Sequence, residues 1–270
     1  RVKCHRDGEL PDGRKEEYAL LRCVCRIPLC HISAPFLSCS DMKESFTGYV
    51  DPKIGSGGHG HVFVGADVPF GMVQATPVNN YKSGSGYQYE MGTIYGFAHT
   101  AMGHWILCHA PFLPAAGEIN SKDYGSPFSH ENESARPGYY QVYLERYGIN
   151  VELTTTPRCA VHRYTYDKGQ DKKIILDLSR SNVTVGAWDV KKESEHAFSG
   201  SQSANGKIYF YAESSAAVGE VEHVGMLEVI PFHGNDRNVE LKVGFSFVSV
   251  ENAKANLEQE LTGKGFDTVY

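Results

Sequence analysis

Outside Tyr18–Cys39, no stretch of this sequence approaches the roughly 20 apolar residues that a membrane-spanning helix needs, so the folded part is expected to contain no such helix. Positive charge is not in surplus either. With 26 basic against 32 acidic residues the formal charge is −6, which leaves no electrostatic footprint for nucleic acid. Cysteine is scarce after the first segment: Cys4, Cys23, Cys25, Cys30 and Cys39 crowd the beginning, and only Cys108 and Cys159 follow. Their spacings lack the paired CxxC units of a zinc site, and an odd total cannot pair completely. A helix is also missing where a nucleotide loop would require one. The glycine-rich run GSGGHG (Gly55–Gly60) continues into Val62, Phe63 and Val64 and then Gly65, a pattern of extended chain broken by turns, whereas a phosphate-binding loop must open a helix.

What is present favours strands. The 28 glycines, 16 tyrosines and 13 phenylalanines suit β-structure and turns over helices, and aromatic faces also suit sugar-handling surfaces. Residues 1–46 have neither helical nor strand periodicity and are expected to form a poorly ordered leader or a processed segment. Within them Tyr18 to Cys39 resembles a degraded export signal. From Tyr49 onward short β-branched or aromatic runs recur between turn residues: HVFVGA, CAVHRYTYD, KKIILDLS, NVTVGAWDV, GKIYFYAE, MLEVIPF and NVELKVGFSFVSV. This is the pattern of an all-β, many-stranded antiparallel domain over 47–250. The turn ERYGIN predicts a hairpin between Tyr139–Leu144 and Val151–Thr155. Over 251–270 the period changes. Ala253, Leu257 and Leu261 recur four apart, with Gly263 as the stop, which predicts a helix.

Six blocks carry a family resemblance: GSGGHGHVFVGADVPFGMVQATP (Gly55–Pro77), SGYQY (Ser85–Tyr89), TIYGFAHT (Thr93–Thr100), SPFSHENESARPGYYQV (Ser126–Val142), GINVELTTTPRCAVHRYTY (Gly148–Tyr166) and GFSFVSVENAKANLEQEL (Gly244–Leu261). In this order they resemble the amino-terminal domain of glycoside hydrolase family 92, the calcium-dependent exo-acting α-mannosidases. The resemblance implies an antiparallel β-supersandwich of the galactose-mutarotase type, with the terminal helix as a linker toward an (α/α)₆ catalytic barrel. It further implies an inverting reaction on mannose-containing glycans, a secreted, periplasmic or cell-surface location, and Ca²⁺ ligands, general acid and base that lie mostly in the barrel. No catalytic or metal-binding residue is therefore assigned to this chain. The stretch Ala101–Glu118, which contains Trp105, departs from the family pattern, and nothing is carried onto it.

Inversion needs two carboxyl groups about 6.5–9.5 Å apart. The carboxylates Asp51, Asp67, Glu90, Glu131, Glu133 and Asp177 show no spacing that demands such a pair and are expected on the solvated surface. The candidate substrate contacts are the backbone of Gly57 and Gly58, which lets a ligand approach closely; His59 and His61, alternating across an extended chain; Tyr87 and Tyr89, on one face and able to stack on a pyranose; and His99 with Thr100 at a strand end. Each histidine has packing in the core as its alternative, and His130 to Glu133 is expected to be an exposed turn. Two functions fit: the non-catalytic half of an exo-α-mannosidase, or a free-standing carbohydrate-binding β-sandwich. The terminal helix favours the first, because a binding module needs no exit helix.

Overall fold

Strand after strand in this chain alternates between two environments, and that alternation builds the domain. The computed structural model describes residues 46–100 and 108–270; nearly all of the 1–46 leader, and Trp105, lie outside them. In Cys159–Thr165, Ala160 and Tyr164 join the central core while Cys159 and Val161 join a second cluster on the opposite face. The period of two is that of a strand buried on both sides.

Two eight-stranded antiparallel sheets result. One runs Ala66–Asp67, Gln74–Val78, Gly96–Ala98, Phe112–Ala116, Lys172–Leu176, Leu227–His233, Ala217–Val218, with Glu222–Val224 also paired to Leu227–His233. The other runs Ala187–Ser194, Ala197–Ser203, Lys207–Ser214, Asn238–Ser246, Cys159–Thr165, Ile149–Thr155, Tyr139–Leu144, Glu133–Arg136. Thr93–Ile94 and Ser126–Pro127 form a small third sheet. The two large sheets share one apolar core, in which Phe97, Phe112 and Ile175 of the first share a cluster with Tyr140, Leu153, Tyr164 and Phe245 of the second. The all-β sandwich expected from the strand pattern is therefore the fold, and the hairpin forms as Tyr139–Leu144 against Ile149–Thr155, with Leu144 opposite Ile149.

The terminal helix, Val250–Leu261, is capped by Ser249, whose side chain accepts the Asn252 amide, and Gly263 follows at φ +72°, the left-handed stop expected of glycine. Its buried residues are Ala253, Leu257 and Leu261, and each leucine contributes about 2 kcal/mol by leaving water. They cover the outer face of the second sheet with Cys159, Val161 and Tyr211. Contact is close because position 244 is glycine: a Cβ there would sit 2.2 Å from the Ala253 carbonyl oxygen. Glu260 fastens the other end, accepting from the Arg158 amide at 3.0 Å and its Nε at 2.5 Å, and from the Thr156 hydroxyl.

One expected strand is largely absent. In HVFVGA only the last residue enters a strand, Ala66–Asp67; the run begins in a turn, with His61 at φ +55° and the Val62 amide on the Gly55 carbonyl. Conversely, Ala197–Ser203 (AFSGSQS) is a central strand without a hydrophobic run. Gly200 leaves room there for the Phe210 ring, 2.6 Å from where a Cβ would be.

Candidate functional site

The glycine run folds back on itself. The Gly60 amide donates to the Gly57 carbonyl (3.1 Å) and the Val62 amide to that of Gly55 (3.4 Å). A Cβ at Gly60 would stand 1.8 Å from the Gly55 oxygen, so the first need for glycine is this internal closure. His59 and His61 are both exposed, but His61 has φ +55° and the chain turns there. The alternation expected of an extended segment does not hold.

The loop's outward amide already has a partner. Gly58, at φ +58°, donates its N–H to Glu90 Oε1 at 3.0 Å, and Gly57 lacks the Cβ that would crowd that carboxylate. Hydrogen bonds from Glu90's own backbone amide and then from Gly58 hold the Glu90 carboxyl below its usual range. It is therefore a fixed anion on an exposed rim. A Cβ at Gly58 would meet nothing within 4 Å, so substitution there acts through the left-handed backbone and not through crowding.

Tyr87 and Tyr89 part company. Tyr89 is 41% exposed and its ring lies flat on the His130 imidazole, centroids 4.0 Å apart and 4° from parallel. Tyr87 is fully buried, with its hydroxyl on the Glu133 carboxylate at 3.0 Å. The two rings meet one network from different depths: Tyr87 reaches Glu133 from the interior, while Tyr89 lies on His130 at the surface. Tyr87 cannot stack on a sugar.

Behind Tyr89 sits a network that the exposed-turn expectation missed. Glu133 is buried and accepts from the hydroxyls of Tyr87 and Tyr140 (2.7 Å) and from His130 Nδ1 (2.7 Å). His130 Nε2 meets the Tyr89 carbonyl at 2.8 Å. Both imidazole partners only accept, an arrangement fully satisfied when both ring nitrogens donate. Asp177 likewise leaves the expected solvated surface: it is buried and accepts from Tyr124 and Ser179. The period-two pattern of Glu133–Arg136 could have placed Glu133 inward, opposite Val142, but a carboxylate in that position is not the default.

His99 and Thr100 lie inside the domain. The Thr100 hydroxyl meets His109 Nδ1 at 2.6 Å. His99 Nε2 lies 2.8 Å from His162 Nε2, its Nδ1 2.8 Å from the Ala110 carbonyl, and His162 Nδ1 2.7 Å from the Tyr164 hydroxyl. A carbonyl can only accept, so His99 Nδ1 carries hydrogen and its Nε2 accepts from His162, which in turn accepts from Tyr164. Both rings are neutral. Burial pushes His99 down to about 3 and His162 well below its usual range. The core alternative is the one the structure adopts.

Chemically, the exposed assembly offers an aromatic face held in one orientation, an ionised acceptor beside it on the rim, and exposed imidazoles at His59 and His61. It suits hydroxyl recognition and stacking. Glu90, held below its usual range, is ill suited to donate a proton as a general acid. Among the described residues no three His, Cys, Asp or Glu side chains converge as a metal-ligand set, so these residues do not fit the calcium that the resemblance implies.

Comparison with known proteins agrees with this architecture. An uncharacterised secreted glycosidase of Arthroderma benhamiae is 24% identical over 81% of this chain and 35% of its own length. A family GH92 α-mannosidase from Bacteroides thetaiotaomicron superposes with a TM-score of 0.74 at 25% identity, covering 83% of this chain and 36% of that one. A second structure from that organism, an inverting mannosidase, has the same fold at a TM-score of 0.74 and 23% identity, over 85% and 35%. The chain thus spans about a third of the length of these relatives. The model of the glycosyl hydrolase family 92 N-terminal domain matches residues 49–257, and the chain belongs to that family.

Proposed function

We propose that this chain is the sugar-contacting, non-catalytic domain of a secreted or cell-surface exo-acting α-mannosidase that removes mannose from glycans with inversion. The general acid, the base and the calcium ligands come from a helical barrel elsewhere in the same polypeptide. Calcium bound there would supply electrostatic stabilisation of the sugar. In this chain Tyr89 offers its ring to a pyranose, Glu90 accepts from sugar hydroxyls, and Gly57 and Gly58 keep Glu90 in place; His59 and His61 border the same loop.

The observation that carries this proposal is the Tyr89 ring fixed on His130 beside the ionised Glu90 rim, in a family-92 domain. The experiment compares mannose release by this chain alone, with and without calcium, with release by the same chain joined to a family barrel. The chain alone is expected to release none, since lost acid–base assistance by itself forfeits about 10²–10⁴-fold. The joined protein is expected to be active, with Tyr89→Ala lowering kcat/KM roughly tenfold through lost stacking. Release by the chain alone, or unchanged kcat/KM in a folded Tyr89→Ala protein, would defeat the proposal. Equal mannoside affinity with and without the barrel would favour a free-standing binding module.

A further inference from the structure

An aromatic ring stands at the tip of a turn whose backbone favours glycine. Between the strands Ala66–Asp67 and Gln74–Val78 the chain reverses through Val68–Gly71, where the Gly71 amide donates to the Val68 carbonyl at 2.9 Å. Pro69 fixes φ at about −65° in the second position, and Phe70 in the third has φ +62°. That is the geometry of a type II turn, whose third position belongs to glycine or asparagine. For a bulky side chain it is an outlier that costs free energy. Nothing among the described residues offsets that cost, since Phe70 is the most exposed of their large hydrophobic side chains.

The turn is also held in place. The Met72 and Val73 amides both donate to the Pro157 carbonyl, at 2.7 and 3.3 Å. Glu260 of the terminal helix fastens the residues on either side of Pro157, through the Thr156 hydroxyl and the Arg158 amide. The Arg158 carbonyl accepts the Phe245 amide at 3.1 Å, two residues before the exposed pair Phe247 and Val248. On the other side a Cβ on Gly138 would stand 3.9 Å from the Asp67 carbonyl oxygen, and the next residue, Tyr139, packs on the Tyr270 ring with centroids 4.8 Å apart. One rim therefore displays Phe70, Pro157, Phe247 and Val248, all exposed, and the terminal segment is tied to that same rim.

We propose that this rim is the surface on which the helical barrel of the same polypeptide docks, with Phe70 as the anchor that enters an apolar pocket of the barrel. The inference rests on the proposed function for the existence of the barrel. Three observations select that occupant. This domain is about a third of the length of its relatives, so such proteins have a large further part to place. A chain continuing from Tyr270 starts beside the rim, which gives its docking the advantage of a tethered partner. The rim is apolar, and a strained aromatic held rigidly in advance loses little conformational freedom on insertion, as suits a central anchor of a protein interface.

The test compares this chain alone with the joined protein that carries the barrel. In hydroxyl-radical footprinting the Phe70 side chain should be oxidised readily in the chain alone and protected in the joined protein. Phe70→Gly should raise the melting temperature of the chain alone by about 2–4 °C, because it relieves the left-handed position. In the joined protein the same substitution should speed protease cleavage between the domains roughly tenfold. Phe70→Asn, which also tolerates this backbone, should behave likewise. Equal oxidation of Phe70 in both proteins, an unchanged cleavage rate, or a lowered melting temperature of the chain alone would each overturn the inference. Dimerisation of the chain alone that Phe70→Gly abolishes would overturn it too, by giving the rim to a second copy. Mannose release is not among these readouts. A joined protein that is inactive but protects Phe70 defeats the proposed function and keeps the docking rim, and an active one with Phe70 exposed does the reverse.

Discussion

Lowering the pH from 7 to 5 should remove a large part of this domain's stability through two side chains. His99 and His162 are fully buried, packed against Phe112, Phe245 and Tyr164, with every ring nitrogen used while both rings are neutral. Their folded values are depressed, His99 to about 3 and His162 well below the usual range, chiefly by desolvation. The unfolded chain binds a proton at each near pH 6.5. Between these limits the unfolded state holds more protons than the native state, so stability falls as pH falls. From pH 7 to pH 5 each histidine costs about 2 kcal/mol, and the pair about 4 kcal/mol. Carboxylates held below their usual range, Glu152 and Glu260 among them, lose their contribution mainly at lower pH, while depressed His109 acts in the same direction as the pair. A loss of about 4 kcal/mol is a large share of a typical 5–15 kcal/mol. Urea denaturation at the two pH values measures it, and ¹⁵N NMR of the native imidazoles checks the cause. Stability constant to within about 1 kcal/mol, or native His99 and His162 signals that titrate near pH 6.5, would refute the assignment.

Two further substitutions probe the loop and the helix. Gly60→Ala should disrupt the glycine loop, since its Cβ would collide with the Gly55 carbonyl, while Gly58→Ala should cost only about 1 kcal/mol of left-handed strain; thermal melting of both variants distinguishes them, and equal losses would contradict the geometry. Glu260→Gln should weaken the hold on Arg158 and Thr156 by about 2 kcal/mol and speed proteolysis after the helix Val250–Leu261; an unchanged cleavage rate would show that apolar packing alone holds it.

Much of the fold was legible because burial writes a period into the chain. The hairpin at ERYGIN and the helix with Ala253, Leu257 and Leu261 inward were both readable, since each buries a regular stripe. Ala197–Ser203 was not, because serine and glycine carry no hydrophobic signal and its burial follows from neighbours such as Phe210. The candidate site was less legible still. SGYQY marked both Tyr89 and Tyr87, but spacing carries no depth: Tyr87 is buried on Glu133 while Tyr89 is exposed on His130. Glu133 was hidden for a different reason. A carboxylate is inward only when several donors meet it, and those donors, Tyr87, Tyr140 and His130, come from three separate segments.

The His99–His162 contact joins residues 63 positions apart in the chain, one beside the strand Gly96–Ala98 and the other within Cys159–Thr165. Were Cys159–Thr165 to pair one residue out of step, every side chain would change faces, and Val161 or Arg163 would stand where His162 now donates. His99 Nε2 would then be stranded without a donor, and the Tyr164 hydroxyl would swing to the outer face. An all-apolar pair at this place could tolerate such a slip more cheaply. The imidazoles thus tie the register of the two layers to hydrogen-bond satisfaction in the core, where an unpaired nitrogen is costly.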